Sequence, residues 1–568
     1  MQLRDYMELA LFLGILLATA KPLGVFLGRV FEGEANFLSP VLAPMERFIY
    51  RLGQIDPREG HSWTRYARDM LGLSLVSFLF TYLNLRYQHL LPLNPQNLPG
   101  LAPDLAWNTA ISFTTNTNWQ AYGGEGTMSY FSQMVGLTLH NFFSAAVGIA
   151  IAVAVIRGIA AKGNGQVGNF WADFVRANLY VLLPISLVYA LFLVSQGMIQ
   201  NLSTYVEATT LEGGKQLIAM GPMASQVAIK MLGTNGGGFV NANAAHPFEN
   251  PTALSNFVQM LSIFLIPSAL VYLLGLKVGN ARHGWTVWGA MSLLFVAGVL
   301  VAAHAEYAGN PLFTQLGCTS AANLEGKETR FGIFDSALFA TTSTAASCGA
   351  VNSMHDSFTP LGGLVPLFNI LLGEVVFGGV GAGLYGMVLF IVLTVFLSGL
   401  MVGRTPEYLG KKIEGREVKY AMFALIVSST SILAFTACAS IAPYGVSSLA
   451  NAGPHCLSEM LYAFASATGN NGSAFGGLNA NTPFWNLALG TAMFLGRFFM
   501  IIPILAIGGS LSNKRIHPGS DASFPVHGPV FLVLLVGVVL IVGALTFFPV
   551  LGLGPIAEHF EMILGKSY

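Results

Sequence analysis

At 568 residues, 54% hydrophobic and 10% charged, the chain is far poorer in charge than soluble globular proteins, which carry about 25%. Its 27 basic and 27 acidic residues cancel, and the basic ones build no face that would hold nucleic acid. Cys318, Cys348, Cys438 and Cys456 have neither metal-ligand spacing nor the pattern of a disulfide framework, so the composition describes an all-α polytopic membrane protein.

Apolar windows of about 20 residues, long enough to cross a bilayer, fall at 6–29, 64–86, 128–157, 174–196, 251–275, 285–306, 366–402, 419–444, 484–509 and 528–556. These predict ten transmembrane helices. The first, lacking a basic start and a small-residue cleavage site, reads as a retained span rather than a signal peptide. The run 366–402 is too long for one straight crossing and contains Gly378-Gly379-Val380-Gly381-Ala382-Gly383, which predicts a break.

Lys and Arg placement sets the orientation. With the N-terminus outside, the inner loops hold Arg29, Arg47, Arg51, Arg58, Arg65, Arg68, Arg157, Lys162, Arg176, Lys277, Arg282, Arg404, Lys411, Lys412, Arg416, Lys419, Lys514 and Arg515. That is eighteen of the 27 basic residues. The outer loops hold few, notably Lys215, Lys230, Lys327 and Arg330. Both termini are expected outside.

Four long outer connections share a pattern: a short apolar segment, then a Gly- or Asn-rich turn. They are Leu105 to Phe113 before Thr114-Thr115-Asn116-Thr117-Asn118-Trp119-Gln120, and Ser225 to Leu232 before Gly233-Thr234-Asn235-Gly236-Gly237-Gly238-Phe239. The others are Ser336 to Ala346 before Ser347-Cys348-Gly349-Ala350, and Leu457 to Ala467 before Thr468-Gly469-Asn470-Asn471-Gly472-Ser473-Ala474-Phe475. The chain therefore reads as an N-terminal span (6–29), four parallel span–short helix–loop–span repeats (64–157, 174–275, 285–402 and 419–509) and a C-terminal span (528–556). Non-helical backbone at membrane depth survives only when buried in protein or lining water, so four such loops around one axis predict a pore.

Each short helix would end at its loop with its carbonyl end inward, a partial negative charge that favours a cation. The turns offer hydroxyl, amide and carbonyl oxygens but no carboxylate, unlike calcium and magnesium sites. Rings of neutral carbonyls are how potassium filters replace a hydration shell. A weakly hydrated monovalent cation is the expected ligand, with potassium favoured by analogy.

These four turns, together with His246-Pro247-Phe248-Glu249-Asn250-Pro251-Thr252, Gly373-Glu374-Val375-Val376-Phe377-Gly378-Gly379-Val380 and Gly403-Arg404-Thr405-Pro406-Glu407-Tyr408-Leu409-Gly410-Lys411-Lys412, carry a resemblance over essentially the whole chain. The sequence resembles the KdpA family, potassium-binding subunits of bacterial Kdp potassium-transporting P-type ATPases. One departure is Thr468-Gly469, where the family more usually has Ala-Asn. The resemblance implies the potassium-transporter superfamily fold and a bacterial inner-membrane complex. In it, this subunit selects potassium, a KdpB-like P-type ATPase subunit binds and hydrolyses ATP, and small KdpC-like and KdpF-like single-span subunits complete the assembly. It also implies a filter made by Asn116, Thr117, Thr234, Asn235, Gly236, Ser347, Cys348, Gly349, Asn470, Asn471 and Gly472, with Gln120 tuning affinity.

Other features have weaker claims. Gly381-Ala382-Gly383-Leu384-Tyr385-Gly386 matches the dinucleotide fingerprint, but it lies in a hydrophobic span without a preceding strand, so helix packing or a hinge is the better reading. In the family this broken span forms a gate-like constriction, and Gly381 and Gly383 are the candidates for its bend. Arg497, inside the ninth span, is either ion-paired, with Glu374 as the partner, or a fixed charge below the filter that blocks leak. His246 and Glu249 read as loop-fixing contacts. The basic run 404–419 reads as topology and lipid-headgroup attraction.

The chain carries no P-loop and no Asp-Lys-Thr-Gly phosphorylation motif, so it is not expected to hydrolyse ATP by itself. The leading expectation is a binding and translocation subunit driven by a partner. The alternatives are a stand-alone potassium channel or symporter of the same superfamily, and an intramembrane enzyme with Cys348 as its nucleophile, for which the loops supply no acid–base pair.

Overall fold

The computed structural model describes residues 1–517 and 524–566. Among them, nine helices are long and apolar enough to cross a membrane: Leu3–Glu32, Ser132–Ala160, Phe170–Ser195, Ala253–Lys277, Ala281–Gln315, Ala382–Met401, Gly415–Ile441, Pro483–Ser512 and Pro529–Leu553. The expected second span is also a helix, Trp63–Arg86. Arg65, Arg68 and Asp69 near its start and Arg86 at its end leave it less apolar than the nine, so the count of ten rests on this one element.

Burial sorts the spans into two classes. The apolar cores of Ser132–Ala160, Ala253–Lys277, Ala382–Met401 and Pro483–Ser512 are 83, 78, 78 and 72% buried, against 28 to 44% for the other five. These four are the second members of the four expected span pairs. They form the inside of the molecule, and Leu3–Glu32, Gly415–Ile441 and Pro529–Leu553 show apolar faces outward, as helices do when their solvent is lipid.

The expected span at 366–402 is two helices, Pro360–Leu371 and Ala382–Met401. Between them Gly373, Glu374, Phe377, Gly378 and Gly381 all take positive φ, a conformation no helix can contain.

Four shorter helices run beside these spans: Pro103–Thr114, Met223–Leu232, Gly332–Ala345 and Gly453–Gly469. Proline at the start of the first and fourth sets a helical φ where no hydrogen bond is lost. All four are buried along nearly their whole length. Strand structure among the described residues is confined to two hairpins. Val206–Thr209 pairs antiparallel with Lys215–Ile218, and Glu407–Tyr408 pairs with Lys411–Lys412.

The second hairpin changes the reading of the basic run. Lys411 is 1% exposed and donates to the carbonyls of Gly158 at 3.1 Å and Leu511 at 2.8 Å. It thus caps the carbonyl ends of two of the buried spans, where a cation is favoured. Burial, and then neighbouring Lys514, lowers its pKa to about 8. Topology and lipid attraction do not describe this lysine.

Candidate functional site

The four short helices end in one geometry. In each, a backbone N–H of the loop bonds back to a carbonyl five residues earlier: Thr117 to Ser112 at 2.9 Å, Asn235 to Lys230 at 2.8 Å, Cys348 to Ser343 at 3.0 Å and Asn471 to Ser466 at 2.9 Å. The residue before each of these N–H groups is left-handed, with φ of 66° at Asn116, 49° at Thr234, 53° at Ser347 and 61° at Asn470. Such φ values are uncommon outside glycine, and here they recur at four equivalent places. The peptide bonds are trans, so the carbonyl of each left-handed residue is antiparallel to the N–H that follows it. Each carbonyl is therefore directed away from its own helix.

The loops meet in a closed ring. Asn116 Nδ2 donates to the carbonyls of Gly233 and Thr234, both at 3.3 Å, joining the first loop to the second. The N–H of Gly349 reaches the Asn235 carbonyl at 3.4 Å, joining the third to the second. Ser347 Oγ donates to the carbonyls of Gly469 at 3.2 Å and Asn470 at 3.1 Å, joining the third to the fourth. Asn470 Nδ2 donates to Thr117 Oγ1 at 3.0 Å and closes the circle. Backbones touch at the same contacts. A Cβ on Gly236 would lie 2.1 Å from Gly349 N, one on Gly349 2.8 Å from Gly472 C, and one on Gly472 1.8 Å from the Thr117 carbonyl oxygen. These three glycines are the condition for the loops to close.

All eleven predicted filter residues are thereby brought together, and all but the half-buried Gly472 are buried. Gln120 stands one step further out. Its Nε2 donates to the Gly238 carbonyl and its Oε1 accepts from the Gly238 N–H, both at 2.8 Å. With Asn118 Nδ2 on the Gly236 carbonyl at 3.0 Å, it continues the seam between the first and second loops. Above the ring a cavity of about 700 Å³ is lined by Gln120, Gly237, Gly349 and Gly472 among others, so all four loops reach it.

The second loop has an internal brace. Lys230 and Glu249 are 1% and 0% exposed and form an ion pair at 2.8 Å. Lys230 Nζ also donates to the Gly237 carbonyl at 2.7 Å. Glu249 Oε1 accepts from the N–H groups of Phe239 and Val240. The pair fixes the returning strand, and Glu249 is the loop-fixing contact that its position after the turn suggests. His246 Nδ1 accepts from the Phe248 N–H at 3.1 Å and does the same for the segment behind it. The triple glycine has two causes. Gly236 and Gly237 have φ of 76° and 69°, and a Cβ on Gly238 would lie 2.4 Å from the Val240 carbonyl oxygen.

Below the ring, the expected ion pair between Arg497 and Glu374 is absent among the described residues. Arg497 is buried and its Nη2 donates to the Ser144 carbonyl at 3.4 Å. Ser144 in turn donates from Oγ to Asn116 Oδ1 at 2.7 Å, so Arg497 sits one residue removed from the first loop. Glu374 is 3% exposed, lies beside the side chains of Ser347 and Asn471, and has an Oε1 without a hydrogen-bond partner. No carboxylate belongs to the four turns in sequence, yet the fold brings this one against two of them. At the break itself, a Cβ on Gly381 would lie 2.0 Å from the Gly148 carbonyl oxygen, and one on Gly383 would lie 1.9 Å from that of Phe377.

Sequence reasoning misses Lys230 as a structural element of the site, because in sequence it reads as one of the few outer basic residues. Its position in the last turn before a loop, with an acid downstream, is the available signal.

Residues 10–560 match the family of potassium-transporting ATPase A subunits, KdpA. The chain is 60% identical over 568 residues to a protein of Methylorubrum extorquens, covering 100% of this chain and 99% of that one. It is 59% identical over 566 residues to one of Nitratidesulfovibrio vulgaris, covering both chains completely. It is 58% identical over 562 residues to one of Solibacter usitatus, covering 99% of each. All three are named potassium-transporting ATPase potassium-binding subunit. Among solved structures, the potassium transporter TrkH from Vibrio parahaemolyticus shares the fold, with a TM-score of 0.50 at 15% identity, covering 88% of this chain and 98% of that one. On the family match and the full-length relatives together, this chain belongs to the KdpA family of potassium-transporting ATPase A subunits.

Proposed function

We propose that this chain is the potassium-binding and translocating subunit of an ATP-driven uptake complex and not its catalytic subunit. The observation that carries this reading is the closed ring of four buried loops, each entered through a left-handed residue and offering only neutral oxygens. Asn116, Thr117, Thr234, Asn235, Gly236, Ser347, Cys348, Gly349, Asn470, Asn471 and Gly472 form the filter, and their carbonyls replace the hydration shell of potassium. Gln120 tunes affinity by holding the first loop against the second. Four repeats, 64–157, 174–275, 285–402 and 419–509, surround the pore, with the outer spans at 6–29 and 528–556. The ring opens to the outside through the 700 Å³ cavity, and both termini lie on that side of a bacterial inner membrane.

Gly381 and Gly383 set the bend of a gate in the broken third repeat. Arg497 stands as a fixed charge beneath the first loop that opposes leak to the cytoplasm, and Glu374 lies between gate and filter. ATP is bound by a KdpB-like partner, with KdpC-like and KdpF-like subunits completing the complex. Potassium titration of ATPase activity in the reconstituted complex tests this, with rubidium and sodium as controls. Selective stimulation by micromolar potassium is expected, and an equal response to sodium would sink the proposal.

A further inference from the structure

Outside the ring, a second cluster of ligating groups joins three segments distant in sequence. His455, near the start of the Gly453–Gly469 helix, has its Nε2 2.9 Å from Asp356 Oδ1 and its Nδ1 2.8 Å from Glu558 Oε1. Asp356 follows the third loop, and Glu558 comes from the C-terminal helix Pro555–Ile563. One turn along from His455, Glu459 points into the same place. One ligand atom each from Asp356, His455 and Glu459 lie within 4.8 Å of one another.

Glu459 is the telling member. It is 1% exposed, and its Oε1 takes a single bond of 3.2 Å from Asn451 Nδ2. Its Oε2 is buried without any partner. A buried carboxylate oxygen lacking a donor is costly, and in native structures it commonly marks an ion or a water. A Cβ on Gly477 would lie 1.7 Å from Glu459 Oε1 and 3.0 Å from Asp356 Oδ2, so the two carboxylates face one another across a gap that no side chain fills. A cavity of about 170 Å³ lined by Asp356, Asn451, His455 and Glu558, with Lys566 also on its wall, leads to the cluster.

We propose that Asp356, His455 and Glu459 form a binding site for a divalent transition-metal ion of the zinc type, on the outer side of the molecule and separate from the potassium ring. One imidazole nitrogen and two carboxylate oxygens are zinc donors, and three protein ligands with a fourth position open to the cavity follow the pattern of open zinc sites. The imidazole distinguishes it from the all-oxygen sites of calcium and magnesium. Glu558 supplies the outer contact that such sites use: by accepting from Nδ1–H it fixes the ring and presents Nε2 to the ion. Tetrahedral coordination at about 2.0–2.2 Å places ligand atoms about 3.3–3.6 Å apart, so on binding the 2.9 Å contact of His455 with Asp356 opens slightly, while any separation near the 4.8 Å limit of the cluster closes. The Asp356 N–H bonds the Phe475 carbonyl at 3.1 Å, and the His455 ring stacks on Phe475 at 6.0 Å. A bound ion therefore braces the segments that follow the third and fourth loops.

The test uses the full chain in detergent with its thiols capped by N-ethylmaleimide, because Cys456 adjoins His455. Equilibrium dialysis with zinc should give stoichiometric binding, and cobalt should give the visible absorption of a tetrahedral N/O site. Calcium and magnesium should not compete. His455→Gln and Glu459→Gln should abolish both signals, and Glu558→Gln should weaken zinc binding about tenfold or more. In the unaltered chain, zinc should protect His455 from diethylpyrocarbonate, read by mass spectrometry, a result that does not depend on any variant folding. Absence of stoichiometric zinc binding, equal binding of calcium, unchanged binding in Glu459→Gln, or no protection of His455 would each overturn the proposal.

Discussion

Two kinds of non-helical backbone lie among the apolar helices, and they are held in different ways. The four loops of the ring are tied across their boundaries by polar side chains: Asn116, Asn118, Gln120, Ser347 and Asn470 all bond a neighbouring loop. The break at 372–381 is tied to a filter loop through its backbone, by the Val380 N–H on Thr234 Oγ1 at 2.8 Å. Gly381 packs closely on the Gly148 backbone, and Gly383, in the first turn of the following helix, on that of Phe377. Hydrogen bonds specify direction and position, whereas close packing of backbone specifies only proximity. On the proposed function, the region that keeps its oxygens in place is built the first way and the region that changes shape the second.

The largest expected effect breaks the brace on the polar side. Lys230→Met leaves Glu249 buried without its partner, and losing one member of a buried pair costs about 3–5 kcal/mol. The expected outcome is a large fall in thermal stability, with substantial recovery in the Lys230→Met/Glu249→Gln double variant. A double variant no better than the single one would mean that the pair does not brace the loop as a unit. Next comes Gly236→Ala, which demands a left-handed alanine and pushes a methyl group into Gly349. Potassium affinity in the complex should fall about 100-fold or more, equivalent to about 2.7 kcal/mol. Affinity within a few-fold of the parent would remove the ring-closing role of Gly236.

The smallest effect, and the sharpest contrast, lies at the break. Gly381→Ala should slow potassium-stimulated turnover about tenfold, or about 1.4 kcal/mol in barrier, while leaving the potassium concentration at half-maximal stimulation unchanged. If affinity falls instead, filter and break are one mechanical unit and the distinction fails.

Much of this arrangement is legible in the chain. Hydropathy finds the apolar runs, and the glycines at 378–383 announce a break in the longest. The four turns identify themselves because Asn, Ser, Thr and Gly after a short apolar helix are unusual at that depth. What cannot be read is pairing. Arg497 and Glu374, the natural partners among the intramembrane charges, do not meet among the described residues, and Arg497 bonds a carbonyl near the first loop instead. Trp63–Arg86 carries charge at both ends, and its composition leaves it outside the nine membrane-length apolar helices. Lys411, one of a basic run, is buried as a cap on two helix ends.

The sequence by itself determined the solvent, the number of loops and the chemistry they offer, because hydropathy, helix length and turn preference are local properties. The tertiary structure alone decided that Asn470 reaches Thr117, that Glu374 lies beside Ser347 and Asn471, and that Asp356, His455, Glu459 and Glu558 converge on one point. The physical reason is distance along the chain. The ring contacts and most of the outer cluster's contacts join residues roughly a hundred or more positions apart, and their geometry follows from how the helices pack.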